Sequence, residues 1–306
     1  MSERMISPAE IRDVLPCKDS FLFLDRVQQI DENHYIALKA VTITELHFIG
    51  HFPNHPIMPG VLEVEAIAQL GELAVWKRLD PERKYDLYVK SLANVKFRRE
   101  NNPGDRMLID VQITNITDSE ASLTATITNN SGVACQAEMT LGLREKEWDI
   151  AIPKLFNEYD KCAESPMDVN TIMSHIPHRF PFLFVDYIAK IDGAHFTGIK
   201  NTTQSDPVFR EYKDGYSVMT SSVHPEIAAQ AGCIYMLSNE ACKGKIAFFM
   251  GIDYSEFIAP VHPGDQMRLE VDMPVNIKKV GKGEGCIYVE DRLISKTQMK
   301  FAIVDP

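Results

Sequence analysis

At 306 residues the chain is long enough for two domains of ordinary size. A formal charge of −11 argues against nucleic acid as a general partner, and no apolar run approaches the roughly 18 residues needed to span a bilayer. The six cysteines (17, 135, 162, 233, 242, 286) form no CxxC pair and no ligand-spaced cluster with histidine. We therefore expect a reducing compartment, no disulfide framework, no metal and no cofactor. The polar start MSERMISPAEIRDVL is unlike a secretory signal. The expectation is a soluble, cytoplasmic protein.

A short helix is predicted over about Pro8–Leu15, then a first strand around Phe21–Ile30 and an alternating strand, Tyr35–Thr42. Next comes the stretch that organises the chain, GHFPNHPIMPGVLEVEAIAQLGELAVWKR, residues 50–78. Pro59 fits the first position of a helix, where a missing N–H is harmless. Val61, Leu62, Val64, Ile67, Leu70, Leu73 and Val75 then put apolar side chains on nearly every face, so this helix should be wrapped by other structure. Glu65 in its middle must be partnered, face a cavity, or be neutral. Just upstream, His51 lies in a loop. An imidazole and a tuned carboxylate are the parts of general acid–base chemistry. Three β-rich segments follow: Leu87–Phe97, Arg106–Thr114, and Ser122–Thr128 with Val133–Leu143. Turns are expected at Pro103-Gly104-Asp105 and Asn129-Asn130-Ser131-Gly132.

The pattern then returns. IMSHIPHRFPFLFVDYIAKID (172–192) repeats IRDVLPCKDSFLFLDRVQQID (11–31), with Pro16/Pro177, Phe21/Phe182, Phe23/Phe184 and Asp25/Asp186 each 161 positions apart. The same offset joins Ala68/Ala229, Gln69/Gln230 and Gly71/Gly232, while Pro103-Gly104-Asp105 meets Pro263-Gly264-Asp265 at 160. This is a duplicated domain. We assign 1–145 to the first copy, 146–166 to a charged linker and 167–306 to a diverged second copy. One long apolar helix against an antiparallel sheet makes each copy α+β.

His51-Phe52-Pro53-x-x-Pro56-x-Met58-Pro59-Gly60-Val61-Leu62-x-x-Glu65-Ala66-x-Ala68-Gln69 closely resembles the signature of FabZ-type 3-hydroxyacyl-[acyl-carrier-protein] dehydratases. Pro177-His178-Arg179-Phe180-Pro181-Phe182-Leu183-Phe184-Val185-Asp186 resembles that family's first-strand motif, and Lys96-Phe97-Arg98-Arg99 with Pro103-Gly104-Asp105 a third block. The resemblance covers both halves. It implies a double hotdog, two sheets each wrapped around a central helix and closing as an intrachain pseudo-dimer, with assembly into larger oligomers possible. It also implies an active site built across the pair, His from one hotdog and Glu from the helix of the other. By position, His51 would face Glu226, the counterpart of Glu65. Glu65 would face Tyr212, the counterpart of His51, and that second site would lack a base.

The activity implied is removal of water from 3-hydroxyacyl thioesters in fatty-acid or polyketide-like synthesis, with His51 as base and Glu226 as an acid whose pKa an apolar setting raises, or as the holder of a water. Backbone donors for the thioester oxyanion are expected at a helix start, Gly60 or Ser221, with nothing in the sequence choosing between them. Lys96, Arg98 and Arg99 are candidates for docking an acidic acyl carrier protein, or the substrate is a coenzyme A thioester; otherwise they form a solvated strand edge. Glu65 is either a second site residue or a retained structural carboxylate, and His224 a weak candidate base. His47 and His55 are assigned to strand and loop. The alternatives are an isomerising relative, against which Glu in place of Asp speaks, and a non-catalytic acyl-thioester-binding module.

Overall fold

The computed structural model describes residues 3–147, 151–152, 165–238, 242, 245–273 and 280–304, so most of the proposed linker lies outside the described residues. Each half wraps a curved antiparallel sheet around one helix, Gly60–Leu79 in the first and His224–Ser238 in the second. The two sheets are continuous. Asp86–Phe97 pairs with Ile246–Phe257 across the seam, Leu92 opposite Ser255 and Val95 opposite Ile252, which makes one sheet, of 13 strands among the described residues, running from Arg4–Ile6 to Tyr187–Asp192.

The wrapped helix is buried along nearly its whole length, and its apolar side chains fill the core with the inward residues of the strands, Val89, Ile109, Val111 and Leu141 among them. Three carboxylates go in with it, and each has a partner, as burial demands. Asn101 Nδ2 donates to Glu63 at 2.7 Å, Gln69 Nε2 to Glu65 at 2.9 Å, and Arg210 holds Glu72 with two bonds. Pro59 is the residue that caps this helix, one position ahead of the place expected for it.

The repeated motifs are clamps. Gln69 takes the Phe23 N–H on Oε1 and donates to the Phe21 carbonyl, while Gln230 does the same with Phe184 and Phe182. This clamp is why Phe21–Asp25 is not extended strand as expected: a short 3-10 turn occupies Asp19–Phe21, and the strand is confined to Arg26–Gln29. Asp25 and Asp186 accept from the N–H of Ala40 and Asn201, and Asp105 and Asp265 close matching turns onto the N–H of Asn102 and His262. The duplication has kept the hydrogen bonds that set the fold.

Candidate active site

His51 caps the short helix His47–Gly50, so His47 is helical and buried where a strand was expected, and His55 sits exposed in the following turn. The His51 loop lies against the second half: Arg179 N–H donates to the Gly50 carbonyl at 3.1 Å. A Cβ on Gly50 would stand 2.0 Å from the Arg179 carbonyl oxygen, so only glycine permits this crossing. The contact brings three buried side chains together. One ligand-capable atom each of His51, His178 and Glu226 lies within 4.8 Å of the others, and His178 Nε2 is 3.3 Å from Glu226 Oε1.

Each group is held. His51 Nδ1 is 2.9 Å from the Ile57 carbonyl; a carbonyl can only accept, so Nδ1 carries the proton and Nε2 keeps its lone pair. The ring stacks on Phe52 at 4.0 Å and meets the edge of Phe182 at 5.3 Å. Burial pushes this imidazole down to about 4, the Glu226 carboxylate offsetting only part of the effect, so it is neutral at pH 7. Glu226 accepts from Gln230 Nε2 at 2.9 Å. Burial alone would raise its carboxyl, but the bond from His178, the electrostatic pull of the two imidazoles and the bond from Gln230 together hold it below the ordinary value. Glu226 is a carboxylate, which corrects the raised pKa expected for an acid. His178, absent from the expected site, was legible in one respect: it stands in the more family-like copy of its motif, opposite Cys17 in the other.

A cavity of about 370 Å³ opens from this cluster, lined by apolar side chains such as Ile57, Met58 and Phe249 and by Gly60 at the start of the first helix. A Cβ on Gly60 would meet the Phe97 ring at 2.7 Å. Ser221 is not among the cavity's lining residues. It begins a 3-10 turn, and its helix starts only at His224, so the two expected oxyanion positions are not equivalent. Glu63, also overlooked in the sequence, lines the cavity with its carboxyl pushed by burial up to about 8. Arg98 and Arg99 line it as well and are exposed, while Lys96 is exposed on the seam strand. His224 faces Ser295 and Phe257, away from both carboxylates of interest.

The second site differs from expectation. Ile57 N–H bonds the His51 carbonyl; at the equivalent place Val218 lies opposite Arg210, because the loop between is two residues longer. Arg210, not Tyr212, thus occupies the position of His51. Its guanidinium grips Glu72 with bonds of 2.8 and 2.9 Å, donates to the Leu87 carbonyl, and meets Tyr212, which donates to Asp86 at 2.6 Å. Glu65 faces Thr220 and Ser222, which donate to its Oε2. An always-protonated guanidinium cannot take a proton, so this site has a carboxylate and no base.

Three buried histidines set an acid limit. Burial depresses His47 and His224 to about 3 as well as His51 to about 4, against 6.5 in the unfolded chain. The unfolded state binds these protons first, so the histidines' share of the stability is full above pH 6.5 and is lost as the pH drops towards 4. The slope is about 1.4 kcal/mol per pH unit for each histidine. Glu63, pushed by burial to about 8, and Glu72, pushed to about 7, work in the opposite direction, so the histidine share is read by difference: the urea midpoint should drop less between pH 7.5 and 5 in His224→Phe than in the parent, and identical pH dependence would show that imidazole to be solvated.

The FabA-like domain family matches this chain twice, over residues 15–137 and 176–298. The 3-hydroxyacyl-[acyl-carrier-protein] dehydratase FabZ of Pelotomaculum thermopropionicum is 40% identical over 138 residues, which is 45% of this chain and 99% of the relative. Among solved structures, the dehydratase domain from the CurJ module of curacin polyketide synthase aligns with 96% of this chain and 98% of its own, at 10% identity and a TM-score of 0.64. A protein from Lactobacillus plantarum described as an oleoyl thioesterase aligns with 89% of this chain and 97% of its own, at 9% identity and a TM-score of 0.57. At such identities the two structures speak to the fold alone, a double hotdog. No helix among the described residues is long and apolar enough to cross a membrane. The chain belongs to the FabA-like family, present as two tandem domains.

Proposed function

We propose that this chain dehydrates 3-hydroxyacyl thioesters to trans-2-enoyl thioesters, in fatty-acid or polyketide-like synthesis, at one site per chain. The observation that carries the reading is the neutral, tautomer-fixed His51 beside the Glu226 carboxylate at the head of an apolar cavity. The acyl chain lies in the cavity, and the thioester oxygen takes backbone donors at Gly60, where the helix start favours negative charge. His51 Nε2 removes a proton from C2. That proton is passed through a water held by Glu226 to the C3 hydroxyl, which leaves as water, and His51 returns to its neutral form. His178 keeps Glu226 ionised and fixed. Exposed Arg98 and Arg99 at the cavity, with Lys96 nearby, suit an acidic carrier protein as the substrate's handle. The cytoplasmic setting is part of the same reading, on the cysteine pattern.

The test is hydration of trans-2-enoyl thioesters, on carrier protein and on coenzyme A, by the purified chain. Turnover is expected, and His51→Ala should lower it by on the order of 10²–10⁴-fold with the protein still folded. kcat/KM should show no inflection near pH 6.5 and fall only as His51 titrates near 4 or the chain unfolds. Release of free thiol without hydration would replace this reading with a thioesterase.

A further inference from the structure

We propose that His51, His178 and Glu226 form a binding site for Zn²⁺ or a similar borderline divalent cation, and that its occupancy blocks the catalytic cavity. Two imidazoles and one carboxylate, with an open fourth position, make a donor set that zinc takes; Mg²⁺ and Ca²⁺ prefer oxygen throughout. With metal–ligand bonds of about 2.0–2.2 Å, the ligand atoms of a tetrahedral site stand about 3.4 Å apart. The His178–Glu226 edge is already 3.3 Å. No pair in the cluster exceeds 4.8 Å, so His51 has little over an ångström to travel. The surroundings are those of a metal ligand shell. His51 gives its Nδ1–H to the Ile57 carbonyl, which leaves Nε2 as its free ligand atom, and Glu226 is steadied by Gln230, itself fixed to the backbone of Phe182 and Phe184. All three ligands are buried, come from three chain segments and both halves, and border a cavity that can admit the ion and its water. The spacing 51, 178, 226 hides such a site from any reading of the sequence.

Metal binding stands on this geometry; only its consequence, inhibition, rests on the proposed dehydration. A bound cation would occupy the lone pair that takes the C2 proton and the carboxylate that holds the water.

The full chain, freed of metal by chelation, would be titrated with Co²⁺ and then Zn²⁺. One equivalent should bind with the visible bands of a four-coordinate Co²⁺ site, and Zn²⁺ should displace it. His178→Ala and Glu226→Gln, each checked for folding by circular dichroism, should weaken binding by on the order of 100-fold. His55→Ala, an exposed histidine outside the cluster, should leave binding unchanged. Zn²⁺ should inhibit enoyl hydration in competition with substrate, and EDTA should restore it. Binding of unchanged affinity in both cluster variants, or none at millimolar Zn²⁺, would overturn the site. Tight binding in a chain that never hydrates enoyl thioesters would leave the metal site standing and sink the dehydratase reading instead.

Discussion

Glu226→Gln is expected to lower kcat/KM for enoyl-thioester hydration by on the order of 10²–10⁴-fold, and Glu65→Gln to leave it within about threefold. The two carboxylates are equivalent by descent: both are buried, on helices that the repeat aligns, and each accepts from a glutamine four residues on. What differs is the company across the interface. Glu226 meets two imidazoles, one with a free lone pair, and a cavity. Glu65 meets two hydroxyls and the neighbourhood of a guanidinium that is already committed to Glu72. Glutamine fills the space of glutamate in both places, so packing is preserved and the comparison isolates charge. On the proposed mechanism, at position 226 it removes the anion that orients water and complements the His51 imidazolium of the proton-transfer step. At position 65 no proton transfer is lost, because no base faces it. Equal losses in the two variants would mean that both sites turn over, and a larger loss at Glu65 would reverse the pairing of the halves.

The sequence revealed the scaffold more readily than the site for a physical reason. Gln69/Gln230, Phe23/Phe184 and Asp105/Asp265 recur because each closes hydrogen bonds that every copy of the fold must satisfy, and a fixed offset tracks them faithfully. The loops that carry His51 and Arg210 close no such shared bonds with their side chains and are free to diverge. Between Arg210 and Val218 the second copy gained two residues, so counting at the constant offset landed on Tyr212, a residue that points to Asp86. The His51–Glu226 encounter was nevertheless legible, since Glu226 follows from Glu65 at the kept offset and His51 stands in the copy whose motif is intact. His178 escaped notice because its role appears only when the two halves close and bring residues 127 positions apart to 5.5 Å between ring centres. The sign of the Glu226 shift escaped for the same reason. Burial was foreseeable from an apolar helix, but the imidazoles that help to outweigh it come from distant loops.

Arg210→Met should cost about 3–5 kcal/mol of stability, the usual consequence of leaving one member of a buried ion pair behind. In the pseudo-site Arg210 reaches from the second half into the first: its two bonds to Glu72 and one to the Leu87 carbonyl cross the interface, and with Tyr212 it flanks Asp86, which Arg144 also holds. Methionine keeps much of the volume and none of the donors. Glu72 is then stranded beneath 4% exposure and can escape only by taking a proton. At about 2–4 °C per kcal/mol for domains of this size, Tm should fall by on the order of 10 °C. The partner substitution supplies the control. In Arg210→Met/Glu72→Leu no polar group is left unpaired at that bond, so most of the loss should return, since an apolar replacement of a buried ion pair is often neutral. Hydration at His51 should persist in both proteins at permissive temperature, because the ablated site lies on the other side of the pseudo-dyad. A single variant as stable as the parent would mean that the guanidinium no longer staples the halves, and the lost base would then have been replaced by a residue of no structural consequence.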